Sequence, residues 1–479
     1  MTGSGKMERQ LRILVAIASH GNKNLEFLKK LIQRYQSMSM NVDVVVFSEA
    51  PKDLALNVKV IVGLPSKNPW SLPFSHKAYL ARNCDRYDLF IYSEDDMEVT
   101  EENIRAFLRI TPQLKPDEIA GYLRYELDAS GTRFLPDIHK AFHWKVESVR
   151  RRGADTIAEF TNEHAGFYIL TQSQLRQAVA SGGFLTDPYE GRYGMLETAA
   201  TDPYTRCGFR KVICITALED FLIYHMSNRY VGQLGIPLFA FKEQVQTLMD
   251  ICNGTHPASI LCEVESKVMR GRWSKSYYES PGEELLKMLP NYAKSILSIG
   301  CGWGDTEITL KKRGIEVTAI PLDSVIGAAA TRLGLNVVYG TLDECFTNLD
   351  SRQFDCVLMP NLLHLLPNPK AVLEQCSRFV REGGTLVISG PNFDRLPILI
   401  KRTFGIGDLG KLRSFGKSGI SICGPQTLKK HIERQGLRVE PVKWVHQASP
   451  RHELSGIWAR LGRLSAKDWI IRARRKLLN

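Results

Sequence analysis

The chain alternates short apolar runs with segments whose apolar residues recur at helical spacing. In the first half, β-branched and apolar runs predict a helix at 24–35 and strands at 12–18, 42–48, 58–62 and 88–92. In the second half, the same pattern predicts strands at 296–300, 316–320, 337–340, 354–359, 385–389 and 437–445. Predicted helices alternate with those strands at 306–313, 371–381 and 426–435. This alternation predicts an α/β fold in each half and a doubly wound, mostly parallel sheet in the second.

A turn-rich, charged stretch separates the two patterns. Residues 252–257 read Cys-Asn-Gly-Thr-His-Pro, and residues 268–275 are charged without a long apolar pattern. We therefore predict two domains, 1–267 and 268–450, followed by a tail at 451–479. A length of 479 residues suits roughly two to four domains. The 44% apolar and 24% charged content is typical of globular proteins rather than disordered ones.

The tail concentrates positive charge. It carries eight Lys or Arg residues against Glu453 and Asp468, within a chain whose net charge is +12. Apolar residues at helical spacing predict two amphipathic helices, one with Leu454, Ile457, Trp458, Leu461 and Leu464, the other with Trp469, Ile470, Ala473 and Leu477. A basic, tryptophan-bearing amphipathic tail favours an anionic membrane surface, and docking on the catalytic domain is an equally open alternative. No nucleic-acid partner is expected, because no aromatic-interleaved basic motif is present.

The sequence also predicts a cytoplasmic location, with the tail reaching the inner face of the membrane. The N-terminus has no signal-peptide core, and no apolar run approaches the roughly 20 residues that span a bilayer. The ten cysteines lack a disulfide-framework spacing, which favours reduced thiols. The oligomeric state is not predicted.

A glycine-rich turn is the clearest chemical signal in the second half. The apolar run 296–299 ends in Gly300, Gly302 and Gly304, and a predicted helix follows and stops before Gly314. A strand, a glycine turn and a helix let the backbone pass close to a nucleotide-like ligand. The turn alone is compatible with NAD as well as with other cofactors.

Four sequence motifs, which occur in a fixed order, narrow the choice of cofactor. ILSIGCGWGD, VTAIPLDS, FDCVLMPNLLHLL and VREGGTLVISGPN resemble the successive motifs of class I S-adenosylmethionine-dependent methyltransferases of the small-molecule type. The resemblance covers about residues 277–444 and implies a Rossmann-like domain with S-adenosylmethionine as cofactor. It implies that the methionine part of the cofactor lies over the glycine turn, with contacts from Gly300, Cys301, Gly302, Trp303, Gly304 and Asn361.

The sequence departs from this family where the ribose is bound. The usual acidic position at the end of the second strand is Pro321, so the resemblance transfers the ribose contact to Asp323. Asp343 is a candidate for an adenine contact, with a role at a helix N-terminus as the alternative. His364, just after the fourth strand, is a candidate general base for a methyl acceptor, with a packed structural histidine as the alternative.

Three consecutive acidic residues end the last predicted strand of the first half. Glu94, Asp95 and Asp96 follow the apolar run of residues 88–92. Such a triplet at the end of a buried strand is costly unless something compensates it. A divalent cation with a nucleotide-sugar diphosphate would do so, because hard cations take carboxylate and phosphate oxygens together. A solvated acidic loop is the alternative.

That triplet resembles the metal-binding motif of GT-A glycosyltransferases, in a Glu-Asp-Asp form. ILVAIASHGN before it resembles the nucleotide-binding first strand, and LPFSHKAYLARNCDRYDLFIYSEDDM resembles part of a bacterial glycosyltransferase-like family. The resemblance implies Mn or Mg bound by Asp96 with Glu94 or Asp95, and His225 as a further metal ligand. It places Ser19, His20, Glu49 and His76 near the nucleotide sugar. Glu219 or Asp220 is the candidate base for the acceptor hydroxyl.

These resemblances predict a bifunctional enzyme that transfers a sugar and a methyl group. A GT-A-like domain would use a nucleotide sugar, and the second domain would methylate a hydroxyl of a glycan or lipid-linked saccharide. Two alternatives remain open. The first half is a non-catalytic carbohydrate-binding module beside an active methyltransferase, or the second half methylates RNA or protein.

Overall fold

The computed structural model describes residues 11–54, 57–446 and 462–477. It divides the chain into two compact units, Met1–Val245 and Gln246–Asn479. The predicted boundary at Lys267 lies later in the chain than this division, and Leu261 and Val264, which precede Lys267, are buried in the hydrophobic core of the second unit. Among the described residues, no helix is both long and apolar enough to cross a bilayer.

The first unit contains fourteen described strands. They are β1 (Arg12–Ala18), β2 (Asn41–Ser48), β3 (Lys59–Val62), β4 (Leu89–Glu94), β5 (Met97–Glu98), β6 (Glu118–Ala120), β7 (Leu123–Leu127), β8 (Arg133–Leu135), β9 (Trp144–Arg152), β10 (Asp155–Phe160), β11 (Phe167–Thr171), β12 (Arg210–Cys214), β13 (Leu222–His225) and β14 (Ile236–Pro237). Its α-helices are α1 (Leu25–Gln36), α2 (Ser75–Arg82), α3 (Glu101–Ile110), α4 (Gln172–Ala180), α5 (Met195–Thr205) and α6 (Leu238–Cys252), the last of which continues into the second unit.

The central sheet of this unit has the order β11-β4-β1-β2-β3. Strands β1 to β4 run parallel, and β11 is antiparallel to β4. The middle strands β1 and β4 are almost wholly buried, as expected of parallel strands covered on both faces. The chain winds away from β1 in opposite directions toward β2 and β4. A parallel α/β sheet binds ligands at such a switch point, outside the carboxyl ends of its strands.

The second unit is built on one eight-stranded sheet, β15 to β22. The strands are β15 (Ser295–Cys301), β16 (Glu316–Pro321), β17 (Asn336–Val337), β18 (Phe354–Met359), β19 (Val380–Pro391), β20 (Leu437–Val439), β21 (Lys443–Val445) and β22 (Asp468–Arg475). The helices are α7 (Glu283–Leu286), α8 (Asp305–Lys312), α9 (Ser324–Arg332), α10 (Leu342–Leu349), α11 (Pro369–Arg378), α12 (Leu396–Thr403), α13 (Phe415–Ser418), α14 (Pro425–Arg434) and α15 (Gly462–Ser465).

These strands follow the order β17-β16-β15-β18-β19-β22-β20, and β21 also pairs with β22. Strands β15 to β19 are parallel, so the predicted doubly wound sheet is confirmed. The predicted strand at 437–445 is in fact two short strands, because residues 440–442 break the pairing. The switch point lies between β15 and β18, next to the glycine turn.

The end of the chain is a strand rather than the predicted second tail helix. β22 pairs antiparallel with β19 over seven residue pairs, from Asp468 opposite Pro391 to Arg474 opposite Thr385. Its Trp469, Ile470, Ile471 and Ala473 are all buried. Burial on both faces of the strand explains an apolar run that the helical spacing also fitted. The first predicted tail helix lies mostly at 451–461, outside the described residues.

Replacing Trp469 by alanine should destabilise the second unit strongly. The indole is 1% exposed, and its Nε1 donates a 3.0 Å hydrogen bond to the carbonyl of Pro391. Truncating a buried tryptophan costs about 3–5 kcal/mol, because it removes apolar contacts and leaves a cavity. Chemical denaturation of the full chain would measure this loss. A change below about 1 kcal/mol would contradict the placement of β22 inside the sheet.

Candidate functional site

The glycine turn of the second unit lies at the carboxyl end of β15. Gly300 and Gly304 have φ values of +82° and +95°, a region that favours glycine. Gly302 is required for another reason: a Cβ there would lie 2.4 Å from the carbonyl oxygen of Tyr277. Trp303 donates a backbone hydrogen bond of 2.7 Å to that same carbonyl. The segment around Tyr277 therefore lies directly across the turn and covers it.

The other predicted contacts of the cofactor fall on the same edge of the sheet with different surroundings. Cys301 is buried, and burial raises the pKa of its thiol well above the ordinary value, so it packs rather than reacts. Trp303 contacts the ring of Tyr278 at a centroid distance of 5.7 Å. Asn361 follows β18 with a φ of +49° and accepts a 3.5 Å hydrogen bond from the Ser389 hydroxyl.

Asp323 has internal partners that favour a structural role over the expected ribose contact. It is 2% exposed, and its carboxylate caps α9 by accepting a 2.8 Å hydrogen bond from the backbone of Ile326. Burial raises the pKa of Tyr277 well above its ordinary value, and the neighbouring Asp323 adds to that shift. Asp343 lies exposed in the first turn of α10, where Thr341 is the cap. Asp323 is therefore engaged at the start of α9, whereas Asp343 stays a prediction for the adenine contact.

His364 is a packed histidine in this structure. Its ring is 3% exposed, and Nε2 donates a 2.8 Å hydrogen bond to the carbonyl of Trp273. Burial lowers the pKa of His364 to about 4. A general base works best with a pKa near the operating pH, so this environment favours the structural alternative over the catalytic one.

The depressed pKa of His364 predicts acid sensitivity. The unfolded chain takes up a proton near the ordinary pKa of 6.5, whereas the folded chain resists it until about pH 4. The stabilising contribution is therefore complete above pH 6.5 and declines as the pH falls toward 4. Between about pH 7 and pH 5, the free energy of unfolding should fall by about 2 kcal/mol more in the native chain than in His364→Gln. Urea denaturation at both pH values measures this difference, and parallel losses would refute it.

Comparisons with known proteins concern this second unit. A family model described as methionine biosynthesis protein MetW matches residues 282–464. A ubiquinone biosynthesis O-methyltransferase of Coxiella burnetii is 31% identical over 103 residues, which cover 21% of this chain and 44% of that protein. One from Azoarcus sp. is 33% identical over 104 residues, which cover 21% and 45%. A SAM-dependent methyltransferase structure from Archaeoglobus fulgidus shares 21% identity, with a TM-score of 0.30 over 38% of this chain and 87% of its own.

The matched segment contains the glycine turn and the parallel strands on both sides of the switch point. The second unit has the class I methyltransferase fold. The chain spans less than half the length of the curated relatives that it matches. The fold of this second unit, called the methyltransferase-fold unit below, therefore accounts for the order of the four sequence motifs.

The first unit has a cavity of about 330 Å³ at its own switch point. Ala18 and Glu94, at the carboxyl ends of β1 and β4, lie in its wall. Of the residues predicted from the sequence, the cavity is lined by His20, Glu94, Asp95, Asp96 and His225. The acidic triplet is therefore the wall of a cleft rather than a solvated loop.

Hydrogen bonds hold two of the three carboxylates in place. The Asn24 side-chain amide donates to Asp95 Oδ1 at 2.8 Å. His225 Nε2 lies 3.1 Å from Asp96 Oδ2, and its Nδ1 lies 2.6 Å from Glu126 Oε1. Both ring nitrogens therefore face carboxylates, which favours the doubly protonated imidazolium.

The electrostatics of this wall leave it short of positive charge. Burial, together with the charge of Asp96, raises the pKa of Glu94 to about 8. Burial raises the pKa of Asp95 to about 6 in spite of the hydrogen bond from Asn24. For His225, burial opposes the charged form, but the hydrogen bonds to Asp96 and Glu126 outweigh it and raise the pKa to about 9. An added cation would favour the ionised forms of Glu94 and Asp95.

The donor set fits a metal that is shared with a ligand rather than caged by the protein. Among residues 11–54, 57–446 and 462–477, no group of three or more His, Cys, Asp or Glu side chains is arranged to hold a metal ion. Mg²⁺ is often held by one or two carboxylates, with substrate phosphates and water completing its coordination. Asp96, with Glu94 or Asp95, offers such a partial set. His225 already bridges Asp96 and Glu126.

The other residues predicted to lie near the nucleotide sugar have different surroundings in the structure. Ser19 is buried beside the cavity-lining His20. Glu49 instead stabilises the turn at Gly21, because its carboxylate accepts a 2.8 Å hydrogen bond from the backbone of Gly21. His76 is 1% exposed and stacks on the ring of Tyr92 at 4.0 Å, so it belongs to the core of the unit.

Glu219 and Asp220 do not line the cavity. Both side chains are half-exposed on the short 3₁₀ helix Leu218–Phe221. Glu219 pairs with Arg133 at 2.7 Å and with Lys242 at 2.5 Å. These surface pairs give the two carboxylates no route to a substrate hydroxyl in the cavity, so the structure does not support their predicted role as base.

Several cavity residues were not predicted individually from the sequence, although His164 lies in the segment 162–171, which resembles the acceptor-side strand of GT-A glycosyltransferases. The wall includes Trp70, Arg124, His164 and Glu197, which come from separate parts of the chain. Arg124 is buried and pairs with Asp137 at 2.6 Å, so its charge is largely compensated. No local motif marks these positions, although Trp70 between two prolines and His164 within Asn-Glu-His-Ala-Gly are visible in the sequence.

Proposed function

We propose that the methyltransferase-fold unit transfers a methyl group from S-adenosylmethionine to a hydroxyl of a small molecule. The observation that carries this proposal is the covered glycine turn at the switch point of a class I methyltransferase fold. The curated relatives, which are named as O-methyltransferases of ubiquinone biosynthesis, support the oxygen acceptor. When bound, S-adenosylmethionine would supply the electrophilic methyl group.

The residues of this chain would act by positioning. The positive φ of Gly300 and the absence of a side chain at Gly302 allow the backbone and the segment around Tyr277 to enclose the methionine end. Enclosure aligns an acceptor oxygen with the methyl group and removes water, which lowers the barrier to displacement. The carboxylate of Asp323 is engaged at the start of α9, so backbone contacts would carry more of the cofactor's binding.

Release of S-adenosylhomocysteine tests this function without knowledge of the acceptor. The purified chain would be incubated with S-adenosylmethionine and with three acceptor classes: saccharides, phenols and RNA. Product release that depends on saccharides or phenols supports the proposal. Release only with RNA would contradict the proposal and establish the alternative function, methylation of RNA.

A second function, glycosyl transfer, rests on the first unit. Its supporting observation is the acidic triplet in the wall of a cavity at the switch point of a parallel sheet. In this proposal, a nucleotide sugar is the donor, a glycan or lipid-linked saccharide is the acceptor, and Asp96 with Glu94 or Asp95 would hold Mn or Mg. A bound cation would neutralise the diphosphate, and the protein would orient the donor.

Two active sites on one chain favour sequential modification of one acceptor. Covalent linkage raises the effective concentration of the product of one site near the other. The role of the tail as a membrane contact is retained only as a proposal for residues 451–461, because 468–475 form β22. Transfer of radiolabelled sugar from UDP-, GDP- and dTDP-sugars with Mn tests the glycosyl function. Methyl transfer without any sugar transfer would favour a carbohydrate-binding role for the first unit.

A further inference from the structure

One aromatic side chain stands open in the wall of the first unit's cavity. Trp70 is 54% exposed and lines the same cavity as the acidic triplet. Large aromatic rings are normally buried, and an exposed one beside convergent polar groups is typical of a ligand site.

The backbone that carries Trp70 is fixed. The 3₁₀ helix Pro69–Phe74 contains prolines at 69 and 73, which restrict the chain. Asn68 caps this helix by accepting a 3.0 Å hydrogen bond from the backbone of Trp70. The Ser71 hydroxyl donates a 2.6 Å hydrogen bond to the carbonyl of Asn68. The exposed indole is therefore presented by a rigid turn, which lowers the entropic cost of stacking a ligand on it.

A second feature of the same cavity is an unsatisfied histidine. His164 lines the cavity and is 8% exposed, and its Nδ1 has no hydrogen-bond partner. The preceding turn holds the ring in place: Asn162 accepts a 3.1 Å hydrogen bond from the His164 backbone and donates 2.9 Å to the carbonyl of Asp137. The Nδ1 nitrogen is closed off from the cavity, and other atoms of the His164 side chain supply its accessible surface.

His164 adds a neutral polar side chain to the wall of the cavity. Burial lowers the pKa of His164 well below its ordinary value, and the nearby Arg124 lowers it further. A neutral imidazole nitrogen either donates or accepts a hydrogen bond, so it can pair with a hydroxyl. The carboxylates, by contrast, need a cation and suit the diphosphate of a donor. The wall of the cavity therefore combines acidic, aromatic and neutral polar side chains.

We propose that Trp70 and His164 form the acceptor-saccharide subsite of this cavity. A sugar ring would pack its apolar face on the indole of Trp70, and one of its hydroxyls would hydrogen-bond to the part of the His164 imidazole that lines the cavity. The inference rests on the proposed glycosyl transfer and names the class of acceptor. Both residues act as binding and positioning groups.

Binding of simple saccharides tests the subsite directly. The full chain, with UDP and Mn present, would be mixed with methyl glycosides of glucose, galactose, mannose, rhamnose and N-acetylglucosamine. Saturation-transfer NMR then reports which ring protons contact the protein. We expect at least one glycoside to bind. Its affinity should fall about tenfold or more in Trp70→Ala and in His164→Ala, and should largely return in Trp70→Phe and His164→Gln.

Phe239→Ala is the matched control, because Phe239 is 67% exposed in the same unit and does not line the cavity. Its glycoside affinity should equal that of the native chain. Absence of glycoside binding, or equal binding by Trp70→Ala, would overturn the subsite. A Trp70→Ala variant that loses UDP affinity and keeps glycoside affinity would also overturn it, because the indole would then stack the nucleobase. Glycoside binding without sugar transfer would support the subsite and refute the glycosyltransferase function. Thermal unfolding of each variant identifies any loss of folding.

Discussion

Gly302→Ala should reduce S-adenosylmethionine affinity at least tenfold. The new Cβ would lie 2.4 Å from the carbonyl oxygen of Tyr277 and 2.9 Å from its carbonyl carbon. These are backbone atoms, so the contact cannot be relieved by rotation of a side chain. Overpacking of this kind costs about 1–3 kcal/mol, and here it would displace the segment that covers the turn. It would also strain the 2.7 Å hydrogen bond from Trp303 to Tyr277.

Isothermal titration with S-adenosylmethionine measures that affinity. Gly416→Ala is the matched control, because its Cβ would have only the Ser414 hydroxyl nearby, at 3.9 Å. The control should bind with the native affinity. Unchanged binding by Gly302→Ala would show that the cofactor does not use this turn.

Asp96→Asn should lower sugar transfer about 100-fold or more and leave S-adenosylmethionine affinity unchanged. Asp96 is the best ionised member of the triplet: burial alone would raise its pKa, but the hydrogen bond and charge of His225, together with Ser227 and Arg124, outweigh burial and lower it. The amide is nearly isosteric and neutral, so the variant removes the charge that holds a cation and its diphosphate. Losing an electrostatic contact to a transferring group typically costs two to three orders of magnitude in rate.

Asp85→Asn provides the control for that substitution. Asp85 is an exposed aspartate of the same unit, paired with Arg176 at 2.8 Å on the surface. Radiolabel transfer from the nucleotide sugar identified in the donor screen compares the variants. Equal rates for Asp96→Asn and the native chain would place the chemistry outside this cavity.

Most strands were predictable because their signals are local. The strands at 12–18 and 354–359 have the predicted bounds, and the helix at 24–35 is displaced by one residue. Short apolar runs that contain β-branched residues are typical of buried strands. The acidic triplet was also expected at the edge of the sheet, because a buried strand carries the residues that follow it to that edge, and there it lines the cavity.

The remaining parts depend on contacts between distant residues. Trp70 and His164 line one cavity because the 3₁₀ helix Pro69–Phe74 and the loop before β11, which are far apart in sequence, converge at the switch point, and no local pattern encodes this. Glu219 has the residue type of a base, but Arg133 and Lys242 hold it at the surface. For β22, the same sequence is compatible with the apolar spacing of a helix and with a strand that is buried on both faces. Pairing with β19 decides between them.

The central claim is that this chain has two independent ligand sites, one in each unit. A crossed titration is the most direct test of that claim. S-adenosylmethionine, and the donor sugar nucleotide with Mn, would each be titrated into the native chain, Gly302→Ala and Asp96→Asn. We predict that the native chain binds both ligands, that Gly302→Ala loses only S-adenosylmethionine, and that Asp96→Asn loses only the sugar nucleotide. A native chain that binds neither ligand, or a variant that loses both while remaining folded, would contradict the account.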